Sequence, residues 1–174
     1  MEEKKRQEKL PHETSNEMAR TLNIGDWGTI EEVEKMAQML RNANSREEAA
    51  VILKIIREMG YLENNQNPEL KPTLSGKSIR EIISGRALRS SFNSNAHWKA
   101  AANIDTLIKN AIKKWNFELN PEKDNTGLKD RSFYYAPMEH EGRILPVKLT
   151  IKEFEKPEEG NRLYSSQVID HDLD

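Results

Sequence analysis

The spacing of apolar residues changes once along this chain, and that change constrains the fold more than any other feature. Up to about residue 115 apolar side chains recur three and four residues apart, and from Asn116 onward they alternate. The first spacing marks helices with one buried stripe, the second strands with one buried face. Helices followed by a run of strands predict an α+β fold, not alternating βαβ units. The expected architecture is an N-terminal helical hairpin, then helices packed on one face of a four-stranded antiparallel meander sheet.

The hairpin is read from its caps. Thr29 with Glu32, and Ser45 with Glu48, have capping-box spacing. Ile30, Val33, Met36, Ala37 and Leu40 form one stripe, ended by Asn44; Ala49, Ile52, Leu53, Ile56 and Met59 form the next, closed by Gly60. The second helix sets Arg46, Lys54 and Arg57 against Glu47, Glu48 and Glu58. That is a poor electrostatic footprint for a DNA-reading helix, so a packing or partner-binding role is expected. Residues 61–72 are polar, with Pro68 and Pro72, and mark the best boundary. The chain thus divides into a disordered or linker tract over 1–22, a hairpin appendage over 23–65 and an α+β domain over 66–174.

Within the larger unit, Ser78 with Glu81 suggests a third capping box over Ile79, Ile82 and Ile83, stopped by Gly85. Upstream, Ser75-Gly76-Lys77 puts a lysine and free backbone N–H groups at a helix start, where an anion is favoured; taken alone, an ordinary capped turn is the better explanation. Residues 86–95 read as a basic, serine-rich loop, and Ser94 or Asn95 as the cap of a long helix over about 96–115. Strands are expected at Asn116–Leu119, Arg131–Pro137, Arg143–Phe154 and Arg162–Ile169, with turns at 139–142 and 156–160. On the third strand Leu145, Val147, Leu149 and Ile151 face the helices, and Lys148, Thr150 and Lys152 face away. The facing of the fourth strand stays open. The tail from Asp170 is acidic.

Charge is where composition matters. The chain carries a formal net charge of −2, yet residues 71–115 hold nine lysines and arginines against only Glu81 and Asp105. A local positive field in a nearly neutral protein points to a phosphate-rich partner. A solvated basic helix face is the plainer explanation of the same count. With no cysteine, disulfide scaffolds and thiolate metal sites are excluded. Glu139-His140-Glu141 is too thin for a metal site, so neither metal nor cofactor is expected. No apolar run is long enough to span a bilayer, so a protein with no membrane partner is expected, acting in the cytoplasm of its own cell or delivered into that of a host or target cell.

Metal-free RNA scission needs a 2′-hydroxyl deprotonated, a leaving oxygen protonated and phosphorane charge stabilised. His97 sits in the first turn of the expected long helix, inside the basic segment, and is the candidate for proton transfer; a structural histidine is the even alternative. Lys77 and Tyr164 complete the catalytic candidates. Lys148, Thr150, Ser166 and Arg89 are the candidates for holding substrate.

The segments LSGKSIREIISG, NSNAHWKAAANIDTLIKNAIKKW, SFYYAPMEHEGRILPVKLTIKEF and NRLYSSQVID resemble the barnase–EndoU–colicin–RelE superfamily of ribonuclease-like domains. More narrowly, they resemble versions found in large polyvalent proteins of phages and conjugative elements and in phage head-associated toxins. The likeness covers about residues 72–170. It implies a metal-independent, toxin-like endoribonuclease with RNA, tRNA included, as substrate, and an immunity protein or a parent polyprotein as partner. It carries His97, Lys77 and Tyr164 into catalytic roles, in a superfamily whose catalytic residues vary. Two other readings stay open: an inactive nucleic-acid- or protein-binding module of a phage or mobile-element protein, and an interaction or virion-associated structural domain working through residues 29–60.

Overall fold

A computed structural model describes residues 27–38, 41–91, 93–117, 128–154 and 161–169. The expected linker over 1–22, the turn at 156–160 and the acidic tail lie outside the described residues, as do the side chains of Met36, Ala37 and Leu40. The described helices are α1 (Ile30–Gln38), α2 (Arg46–Glu58), α3 (Gly76–Ile82), α4 (Gly85–Ser90), α5 (Ser94–Ala102) and α6 (Ile104–Asn110). The strands β1 (Ile112–Phe117), β2 (Leu128–His140), β3 (Arg143–Phe154) and β4 (Asn161–Val168) follow. They form one four-stranded sheet in the order β1-β2-β3-β4, all neighbours antiparallel. The α+β architecture and the meander are as the period change predicts. Among the described residues no helix is long and apolar enough to cross a membrane.

One face of the sheet carries the core. Tyr134, Ala136 and Met138 of β2, Leu145, Val147, Leu149 and Ile151 of β3, and Leu163 and Val168 of β4 join a single buried cluster. Leu53 and Ile56 of α2, Ile82 of α3 and Leu107 and Ile108 of α6 belong to that same cluster. Each leucine, isoleucine, valine or methionine among them contributes about 1.5–3 kcal/mol when fully buried. Residues on either side of the expected boundary at 65/66 therefore share one core. The connector is fastened too. The buried Asn64 amide donates to the carbonyls of Ile108 (2.6 Å) and Ala111 (2.9 Å), and its Oδ1 accepts from the Asn67 N–H (2.7 Å).

Two caps stand as their spacing predicts. Thr29 and Glu32 exchange bonds, and Ser45 accepts from the Glu48 N–H. The expected Ser78–Glu81 box does not form. Ser75 caps α3 by accepting from the Ser78 N–H at 3.0 Å, and Glu81 instead pairs with Arg86. The expected loop over 86–95 holds α4, capped by Ser84, and the cap of α5 is Asn93, one residue before Ser94.

The expected long helix is the main correction. It breaks at Asn103, whose side-chain amide bonds both backbone groups of Arg41 and the Lys99 carbonyl. An amide that satisfies backbone groups of a neighbouring segment competes with helix continuation. Beyond Asn110 the chain is already sheet: Ile112 pairs with Tyr135 and Trp115 with Phe133. Their helical spacing loses to backbone pairing with β2, which satisfies the peptide groups of this segment as a strand. β2 and β3 join through Glu141 and Gly142, at φ 51° and 80°. Positive φ at both central residues is the hairpin geometry that matches sheet twist.

Candidate functional site

β4 is an edge strand, and edge strands need cover. Thr73 bridges Arg162 in parallel at one end, donating from its N–H to Asn161 and accepting at its carbonyl from Leu163, both at 3.0 Å. At the other end Gln167 Nε2 donates to the Ser90 carbonyl (2.7 Å) and the Val168 N–H donates to Ser91 Oγ (3.1 Å). α4 is thus held beside β4. Between α4 and the sheet face opposite the core lies a cleft of about 590 Å³.

Strand register decides which side chains reach it. Lys148 and Gln167 are cross-strand neighbours, as are Phe133, Thr150 and Ser165, and all five line it. Alternation puts both rows on the face away from the core. The register slips between Thr150 and Ile151, leaving Tyr164 as the extra residue on β4. This bulge settles the facing that alternation left open. Tyr164 turns to the cleft beneath Lys152, whose Nζ lies 3.5 Å from its ring centroid. Ser166 pairs with Leu149 instead; it borders the cleft but is buried, and its Oγ has no partner among the described residues.

The lining is cationic. Among the described residues Arg86, Arg89, Arg131 and Lys148 line the cleft with one carboxylate, Glu81, which holds Arg86 through both oxygens at 2.8 Å. That hydrogen bond and charge raise the Arg86 pKa, with Tyr164 adding to the effect. Lys148 is the unusual group. It is 4% exposed yet lines the cleft, so it sits at the floor. Its ammonium lies 4.3 Å from the Phe133 ring centroid. Burial first, and the charge of Arg131 second, lower its pKa to about 7. A desolvated lysine among cations, half neutral near neutrality, is a strongly perturbed group in a cleft, the physical mark of a functional site. Among the described residues no group of three or more His, Cys, Asp or Glu side chains is placed to hold a metal ion.

Of the residues expected from sequence, Arg89, Lys148, Thr150, Tyr164 and Ser166 come together at this cleft. Lys77 is exposed on α3 and does not line it. His97 is fully buried. Its Nε2 bonds the Ile82 carbonyl at 2.6 Å and its Nδ1 the Ser91 hydroxyl at 2.7 Å. A carbonyl only accepts, so Nε2 carries the proton and Nδ1 accepts from Ser91, whose oxygen accepts from Val168. Desolvation lowers the His97 pKa against that carbonyl bond and favours the neutral ring. His97 ties α3, α5 and β4 together and reaches no cleft. Helix-mouth position suggested proton transfer, but accessibility is set by the packing of α3 and α4.

Sequence reading missed Arg86, Arg131, Glu81 and Gln167 as members of one site. Arg131 and Phe133 had a legible signal, since they alternate on β2 as Lys148 and Thr150 do on β3.

The family model of large polyvalent protein-associated domain 3 matches residues 41–164, spanning α2 to the cleft tyrosine. The chain belongs to this family. The match begins within the expected hairpin appendage and takes in every residue of the cleft up to Tyr164. Membership in the domain 3 family agrees with the expected setting, a module of a phage or mobile-element polypeptide. No curated protein and no solved structure matches the chain.

Proposed function

We propose that the cleft binds the phosphate backbone of RNA and cleaves it by attack of a ribose 2′-hydroxyl on the adjacent phosphorus. Lys148 carries this reading: a largely desolvated amine with a pKa of about 7, at the floor of a cleft lined by three arginines. Neutral Lys148 accepts the 2′-hydroxyl proton as the new O–P bond forms. Arg86, Arg89 and Arg131 stabilise the charge that builds on the phosphorane oxygens. The bond from phosphorus to the 5′-oxygen breaks, and Tyr164 gives that oxygen a proton, later regained from solvent. The products are a 2′,3′-cyclic phosphate and a 5′-hydroxyl. His97 and Lys77 take no part, and RNA as substrate puts the action in a cytoplasm.

The resemblance of residues 72–170 to ribonuclease-like domains supports the same reading; the domain family supports only the setting, a module of a polyvalent protein. The test is cleavage of single-stranded RNA and tRNA in the presence of chelator, with RNA ends mapped. Wild type yields 2′,3′-cyclic phosphate ends, at a rate that rises with pH through about 7 as Lys148 loses its proton. Lys148→Met removes cleavage while the protein stays folded. Undiminished cutting by Lys148→Met removes the lysine from the mechanism. Salt-sensitive RNA binding with no cut product makes the cleft a binding module instead.

A further inference from the structure

α2 has two apolar stripes, and only one is used. Ala49, Leu53 and Ile56 are buried in the core. Val51, Ile55 and Met59 recur every four residues on another side of the helix and are 58–62% exposed. Tyr61, just past the helix end, is 69% exposed. With Ile30, these are the exposed large apolar residues among the described ones, so four of five gather at one place. Scattered exposed apolar residues need no explanation, but a continuous stripe marks an interaction surface.

The charges beside the stripe select the occupant. Lys54 and Glu58 lie on the same flank of Val51 and Ile55, at a hundred degrees per residue. Neither has an ion-pair partner among the described residues. When two identical helices pack antiparallel about a two-fold axis near Ile55, Val51 of one lies across from Met59 of the other. On the shared flank each Lys54 then approaches the other copy's Glu58, so both pairs form at once. An isologous contact requires such self-complementarity. We propose that this α2 face is a docking surface for a second copy of the chain, packed antiparallel through Val51, Ile55 and Met59. The proposal is independent of the cleft. So few side chains put the contact at the small end of specific interfaces, and the dimer is weak.

The test is sedimentation of the full chain across a range of concentrations. Wild type dimerises reversibly with concentration. Ile55→Glu puts a charge in the contact and weakens dimerisation about tenfold or more. Its helix content stays that of wild type, because Ile55 is outside the core. Lys54→Glu and Glu58→Lys each weaken the dimer, and the double exchange restores it. A wild type that stays monomeric at the highest concentrations overturns the proposal, as does a dimer insensitive to Ile55→Glu. Failure of the double exchange to restore the dimer overturns the antiparallel arrangement.

Discussion

Replacing Lys148 by methionine should stabilise this protein, and the gain should depend on pH in a particular way. An unfolded-chain lysine titrates near 10.5, whereas burial and Arg131 hold Lys148 at about 7 in the fold. Each pH unit of that gap is worth about 1.4 kcal/mol, so the fold carries a penalty of about 5 kcal/mol at and below neutral pH. Between about 7 and 10.5 the unfolded chain binds the extra proton. Wild-type stability therefore rises with pH across that window and the penalty disappears above it. Methionine has a similar length, keeps the contact with Phe133 and has no charge to desolvate. Denaturant unfolding of both proteins from pH 6 to pH 10.5 is the assay. The expected result is a Lys148→Met advantage of several kcal/mol near pH 6, shrinking steadily as pH rises. An advantage that does not change with pH, or a loss at neutral pH, refutes the reasoning. The same substitution is expected to remove RNA cleavage, because a group held at a cost to stability is retained for what it does.

Three further outcomes follow from the packing. His97→Ala loses two buried hydrogen bonds and should cost about 2–4 kcal/mol in unfolding free energy; since the His97 pKa is depressed, its contribution is full above about pH 6.5 and fades as pH falls below that, so the wild-type advantage should narrow in acid. Asn64→Leu leaves the Ile108 and Ala111 carbonyls without their shared donor and should cost about 3 kcal/mol, read by the shift of the denaturation midpoint. Gly142→Ala puts a β-carbon at a φ of 80° in the β2–β3 turn and should cost about 1 kcal/mol, with no change in RNA cleavage.

The order helices-then-sheet was written in the spacing of apolar residues, because a stripe or an alternating face is a local pattern any strand or helix must carry. The core-facing side of β3 was legible for the same reason. So was part of the cationic character of the site: Lys148 could be placed by alternation on β3 and Arg89 by the charge of its segment, whereas Tyr164 was named without its facing. Three things belonged to the tertiary structure alone. The break at Asn103 depends on Arg41, sixty-two residues away in sequence, and the entry of Ile112 and Trp115 into a strand depends on β2 lying beside them. The bulge at Tyr164 comes from register with β3 and turns that ring to the cleft while Ser166 faces the core layer. Burial divides the two notable titratable groups. His97 is closed in between α3 and β4, and Lys148 is held at a cleft floor, because burial is a property of what packs around a residue and not of the residue itself.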